Sequence, residues 1–147
     1  MEIEIYTSGK VEPRNSNHGG YAVLLVAKDE YGNILRVKSI IGYKFGATAY
    51  ECQADAINVG LKALNAPYGN KLTIYSRNMT LVNVLNGVNE ANKNKELITI
   101  TQKELAKHGD VSIQFASKQD MLELLYMQEA DKMAIQVCRS GTNNETT

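Results

Sequence analysis

Three features of the 147-residue chain predict an α/β fold built on a mixed five-stranded sheet with helices on its faces. Its opening stretch alternates apolar and polar residues with a period of two. At Thr48 the spacing lengthens to a helical period. From Lys71 onward, short apolar strands alternate with helical stretches. The element order is β-β-β-α-β-α-β-α with one short extra helix before the fifth strand, a meander leading into alternating α and β.

The elements follow in order. Over Glu2–Ser8, Ile3 and Ile5 lie on one side while Glu4 and Tyr6 point outward, as in a half-buried strand. Ser8-Gly9 through Gly19-Gly20 is dense in turn formers, including Pro13, Asn15, Ser16 and Asn17, and Tyr21–Ala27 is a strongly apolar second strand. Asp29–Asn33 reads as a hairpin turn, so Ile34–Tyr43 is a third strand antiparallel to the second. Next, Gln53, Ala56, Ile57, Gly60, Leu61 and Leu64 recur at helical spacing, with Glu51, Asp55, Asn58 and Lys62 on the opposite face. Asn65, Pro67 and Gly69 end that helix. Lys71–Ser76 is the fourth strand, Met79–Asn86 a helix, and Asn86–Lys95 a polar loop. Leu97–Lys107 is a short helix, Val111–Ala116 the fifth strand and Tyr126–Val137 the last helix. Residues 1–138 are expected to form one domain, and the polar stretch 139–147 a disordered tail.

Composition narrows the function classes. Sixteen basic residues balance 16 acidic ones, and 44% of the chain is apolar. That balance argues against a whole-domain electrostatic footprint for nucleic acid and leaves room for a local basic patch. Cys52 and Cys138 lie far apart, with no C-x-x-C and no nearby pair of histidines, so neither a disulfide framework nor a zinc site is indicated. The start MEIEIY lacks the features of a signal peptide, and no apolar run approaches membrane-spanning length. A reducing, cytoplasmic setting with no membrane partner is the expectation. The N-x-[ST] patterns at Asn78 and Asn144 are read as chance.

Four segments carry a family resemblance. Ile5-Tyr6-Thr7-Ser8-Gly9-Lys10 followed by Gly19-Gly20-Tyr21-Ala22 resembles the opening of type 1 ribonuclease H, where a strand ends in T-D-G-S and a turn leads to G-G-Y/W-A. Thr48–Leu64 is similar to that family's T-N-x-x-A-E-x-x-A-L-x-x-G-L-x-A-L helix. Leu72–Asn78 resembles its fourth strand, which ends I-Y-T-D-S, and Gln128–Ala134 its closing N-E-x-A-D-x-L-A helix. These segments appear in the family's order, and together they are far more specific than any one alone.

The resemblance implies the ribonuclease H-like fold. Members of that family hold two Mg²⁺ ions with four carboxylates and cleave the RNA strand of an RNA–DNA hybrid by metal-assisted hydrolysis. The matching positions here are Ser8, Gln53, Arg77 and Asp131, of which only Asp131 is a carboxylate. Glu51 does not substitute for Gln53. It lies about 200° away around the helix at 100° per residue, so it points to solvent if Gln53 points at the sheet, and Asp55 fails by the same argument. Arg77 places a permanent cation where the family has a metal-ligating Asp. An Arg77–Asp131 ion pair would satisfy both charges. The family's mobile G-H-x-G loop corresponds to Ser117–Leu125, which has no His and no Gly, and its Trp-rich basic handle has no counterpart in a chain without Trp.

With these replacements, the resemblance implies a catalytically inactive scaffold or interaction module, a pseudoenzyme without metal or other cofactor, binding a protein or a nucleic acid. Two alternatives stand beside it. One is a non-catalytic binder of RNA–DNA hybrid using Lys10, Arg14, Arg77 and Lys118, with His18 near the same cluster. The other is a weak metal-dependent nuclease with a rearranged site built on Glu51 or Asp55. Cys52 reads as a buried small hydrophobe rather than a nucleophile. The apolar run containing Met121, Leu122 and Leu125 fits an extension of the last helix, either packed on the core or presented as a partner-binding surface.

Overall fold

The computed structural model describes residues 1–64 and 71–146. Strands β1 (Glu2–Glu12), β2 (Asn15–Lys28) and β3 (Ile34–Phe45) form an antiparallel meander. The β2–β3 turn is held by the Asp29 carboxylate, which accepts from the backbone N–H groups of Tyr31 and Asn33. Gly32 there takes a positive φ of 84° that a side chain would resist. Strand β4 (Lys71–Ser76) runs parallel to β1, and β5 (Asp110–Phe115) parallel to β4, giving the sheet order β3-β2-β1-β4-β5.

Helix α1 (Ala49–Lys62) begins in a capping box, with the Thr48 side chain accepting from the Glu51 backbone and the Glu51 side chain accepting from the Thr48 backbone. The helix stops at Ala63, ahead of Asn65, Pro67 and Gly69, which lie outside the described residues. Helices α2 (Met79–Leu85) and α3 (Lys95–Ala106) join α1 on one face of the sheet, where Ile3, Ile5, Val23, Ile57, Leu61, Ile74, Leu81 and Ile98 make the larger core. Helix α4 (Leu125–Thr146) covers the other face, packing Met127 and Ala130 on Tyr6, Leu24 and Val26. No helix among the described residues is long and apolar enough to cross a membrane.

Besides Asn58, which was expected on the wet face of α1 but is buried with its amide donating to Thr101 of α3, two expectations change. Glu4 and Tyr6 are buried rather than outward, because β1 sits in the middle of the sheet and α4 covers its second face. Glu4 is accommodated there by Lys28 Nζ at 2.8 Å and by the Tyr6 hydroxyl, which donates to it at 2.8 Å. Burial, reinforced by that bond, pushes the Tyr6 phenol well above its ordinary pKa. The second change is at the C-terminus, where a disordered tail was expected over 139–147. Helix α4 instead continues to Thr146. Gly141 lies against the Tyr43 ring of β3 so closely that any Cβ there would collide with it. The contact thus depends on a residue without a side chain, and apolar patterning carries no sign of it.

Candidate functional site

Strand parity sorts the residues at the end of β1 onto two sides. Ser8 and Lys10, two apart, face α4, while Thr7 and Gly9 face α1. Toward α4, the buried Ser8 hydroxyl donates to Asp131 Oδ1 at 2.5 Å, and Lys10 Nζ lies 3.7 Å from the same oxygen. The Lys10 side chain keeps 34% of its surface exposed.

Toward α1, Gln53 is 2% exposed and both ends of its amide are engaged. Its Nε2 donates to Thr7 Oγ1 at 2.5 Å, and its Oε1 accepts from the Gly9 N–H at 2.9 Å. Thr7 in turn donates to the Tyr75 carbonyl on β4 at 2.8 Å. Gly9 is required here, since a Cβ would run into the backbone of Cys52 and Gln53. Gln53 therefore faces the sheet as the helix-face argument predicts, and it ties α1 to β1. Glu51 is occupied in the α1 capping box, and Asp55 pairs with Lys44 at 3.1 Å, so neither faces the site.

Arg77 follows the last residue of β4, but its guanidinium does not take the expected place beside Asp131. It donates to the Ala116 carbonyl and lies over the Phe115 ring at 5.9 Å from the centroid. The Asp120 carboxyl is held below its ordinary pKa mainly by the hydrogen bond it accepts from the Ser117 backbone N–H, and the Arg77 charge adds to this. The expected Arg77–Asp131 pair is replaced by Lys10–Asp131, because Lys10 shares a strand face with Ser8 whereas Arg77 turns toward β5.

Of the other expected cations, Arg14 is exposed in the β1–β2 turn and Lys118 is exposed after β5. His18 is buried at 1% exposure beside Tyr43 and does not join an exposed cluster. The run Met121, Leu122 and Leu125 divides. Met121, in a 3₁₀ turn at Asp120–Leu122, is half-buried against the smaller core, while Leu122 and Leu125 are exposed at 76% and 70%. Burial pushes the Cys52 thiol up to about 11, which suits a packed side chain and not a nucleophile.

The donor set does not suit the pair of Mg²⁺ ions that the resemblance implies. Hard divalent ions need anionic oxygens. Here the Ser8 hydroxyl and the Gln53 amide are neutral and already bonded, and the one carboxylate already has an ammonium beside it. Among the described residues no group of three or more His, Cys, Asp or Glu side chains converges as a metal site. One participant, Thr7, the partner of Gln53, escaped the sequence reading, and Lys10 was read there as a phosphate contact and not as the partner of Asp131; both roles were marked by their parity on β1.

Neither a protein-family model nor a curated protein sequence matches the chain. Solved structures do match. The ribonuclease H1 of the halophilic archaeon Halobacterium salinarum aligns with 95% of this chain and 99% of its own at a TM-score of 0.70 and 18% identity. LC11-RNase H1 in complex with an RNA/DNA hybrid aligns over 91% of this chain and 96% of its own, at 0.66 and 20%. LC9-RNase H1, described as a type 1 ribonuclease H with the type 2 active-site motif, aligns over 95% of this chain and 72% of its own, at 0.75 and 11%.

These matches correct the expectation that the chain is not an enzyme. Structures of ribonucleases H share its fold, and nothing in them marks the chain as inactive. A changed residue set at the type 1 positions is also no mark of lost activity by itself, since the same architecture carries a different active-site motif in LC9-RNase H1. The chain has the fold of the type 1 ribonucleases H over nearly its whole length.

Proposed function

We propose that the chain is a nucleic-acid-binding domain of ribonuclease H type whose ligand is an RNA–DNA hybrid, held by its phosphates over the carboxyl ends of β1 and β4. One observation carries this reading. Lys10, past Tyr6 where β1 stops pairing with β4, and Arg77, just after β4, stand beyond the carboxyl end of that parallel pair, the position where open α/β sheets receive their ligands. The binding of a hybrid by LC11-RNase H1, on the same fold, supports the choice of duplex. Arg14 and Lys118, both exposed, extend the basic footprint on loops to either side. Binding through such contacts is strongly salt-dependent, with each phosphate neutralised adding about 0.9 to the log–log slope.

The test is fluorescence polarisation with labelled hybrid across a salt series. Lys10→Glu is expected to weaken binding roughly tenfold and to lower the slope by about 1. Equal affinity of the wild type and Lys10→Glu, or binding indifferent to salt, overturns the reading. The fold shared with ribonucleases H favours a second reading, cleavage of the hybrid's RNA strand, in which Asp131 is the carboxylate required. Cleavage scored in the same samples with Mg²⁺ or Mn²⁺ decides it. Turnover that Asp131→Asn abolishes supports this second reading, and absence of turnover removes it while leaving the binding result intact.

A further inference from the structure

Two residues of β1 approach the same carboxylate oxygen on α4. The Ser8 hydroxyl, on a residue with no exposed surface, donates to Asp131 Oδ1 at 2.5 Å and fixes the carboxylate against the sheet. Lys10 Nζ stands 3.7 Å from that oxygen, near enough to offset its charge and beyond hydrogen-bond length, so this contact uses none of the ammonium's N–H donors. The Lys10 side chain keeps 34% of its surface exposed and that of Asp131 18%, so a ligand can reach the pair from solvent. Arg77 adds no charge here, because its guanidinium is turned to the Ala116 carbonyl and the Phe115 ring.

A phosphate laid beyond the carboxyl end of the β1–β4 pair meets Asp131 as a like charge. Where one or two carboxylates face a phosphate, the usual bridge is a divalent cation bound to both. Here the place beside Asp131 is taken by an ammonium tethered to the chain. Ser8, Gln53 and Asp131 carry one negative charge between them, and Lys10 cancels it. Resting on the reading that the ligand is a hybrid held by its phosphates, we infer that Lys10 is a built-in counter-ion, its ammonium bridging Asp131 and a backbone phosphate so that binding needs no divalent cation. A lysine suits this role, since it is a compact point charge whose rotatable donors serve a carboxylate and a phosphate together. The pair then acts as a unit in which Lys10 shields the phosphate from Asp131.

The test is hybrid affinity by fluorescence polarisation for the wild type, Lys10→Gln, Asp131→Asn and the double variant, each in EDTA and in Mg²⁺ at matched ionic strength. Asp131→Asn keeps an oxygen to accept from Ser8, and thermal melts confirm that every variant is folded. Once unshielded, Asp131 repels the phosphate, so in the Lys10→Gln chain Asp131→Asn is expected to raise affinity roughly tenfold, against about twofold in the wild type. Wild-type affinity is expected to be the same in EDTA and in Mg²⁺. An equal gain from Asp131→Asn in both backgrounds overturns the inference, because the carboxylate then repels phosphate whether or not Lys10 is present. A larger gain in the wild type also overturns it, since Asp131 is then a competitor with phosphate for Lys10, and so does wild-type binding that is lost in EDTA. Each of these failures leaves hybrid binding itself intact. A wild type that does not bind hybrid, or whose affinity Lys10→Gln leaves unaltered, overturns the underlying reading and this inference with it.

Discussion

The Gln53 amide makes a buried contact at each end, and that doubling fixes what a substitution there does. Replacing it by Leu strands the Gly9 N–H and removes the donor to Thr7 at a position 2% exposed. A buried group left unpaired costs about 1–3 kcal/mol, so Gln53→Leu is expected to lower unfolding stability by about 2–3 kcal/mol, read from urea denaturation at unchanged m-value. A loss under about 0.5 kcal/mol, the ordinary scale of a surface change, would remove Gln53 from the structural role assigned to it. The inward aim of Gln53 was legible because a helical face is a local property of spacing. The partner of Asp131 was not legible. Its choice between Lys10 and Arg77 depends on where the end of β4 turns, and that is set by the Ala116 carbonyl and the Phe115 ring on β5, a strand about 40 residues further along the chain.

Among the elements, β1 shows where pattern reading misleads. Its alternation of Ile3 and Ile5 with Glu4 and Tyr6 matches a strand with one wet face. Its parallel pairing to β4 and the cover of α4 bury both faces, and the buried acid Glu4 is neutralised by Lys28 from β2. Period alone cannot see a helix that arrives more than a hundred residues later. The apolar face of helix α1 was legible for the opposite reason, since it lies within one segment, except at Asn58, which was placed on the wet face but is buried with its amide donating to Thr101 of α3. The α1 capping box sets Glu51 to work at the helix start and keeps that carboxylate off the site. Thr48→Ala removes the acceptor for the Glu51 N–H and is expected to cost about 1 kcal/mol in denaturant unfolding. Because α1 carries Gln53 onto β1, the same variant should not change m, as the fold itself persists.

For the whole molecule, net charge of zero gives no long-range field, so any preference for ions or nucleic acid is decided by local donors. Around Ser8, Gln53 and Asp131 those donors are a neutral hydroxyl, a neutral amide and one carboxylate beside an ammonium. A ligand that binds only the folded state stabilises it by RT ln(1 + [L]/Kd), about 2.7 kcal/mol when the ligand is at a hundred times its Kd. For a chain of this size each kcal/mol moves the melting temperature by about 2–4 °C, so a filled divalent site would be plain in a thermal scan. Mg²⁺, Mn²⁺ and EDTA are therefore expected to leave the melting temperature of the wild type unchanged within about 1 °C. Placing acids at three positions, with Ser8→Asp, Gln53→Glu and Arg77→Asp together, creates the anionic donor set that such ions require. That variant is expected to start less stable in EDTA, from repulsion among the new carboxylates around Asp131, and to recover on adding Mn²⁺. A Mn²⁺-dependent rise in the wild type itself would show that Lys10 yields Asp131 to a metal, and would return the site to metal chemistry.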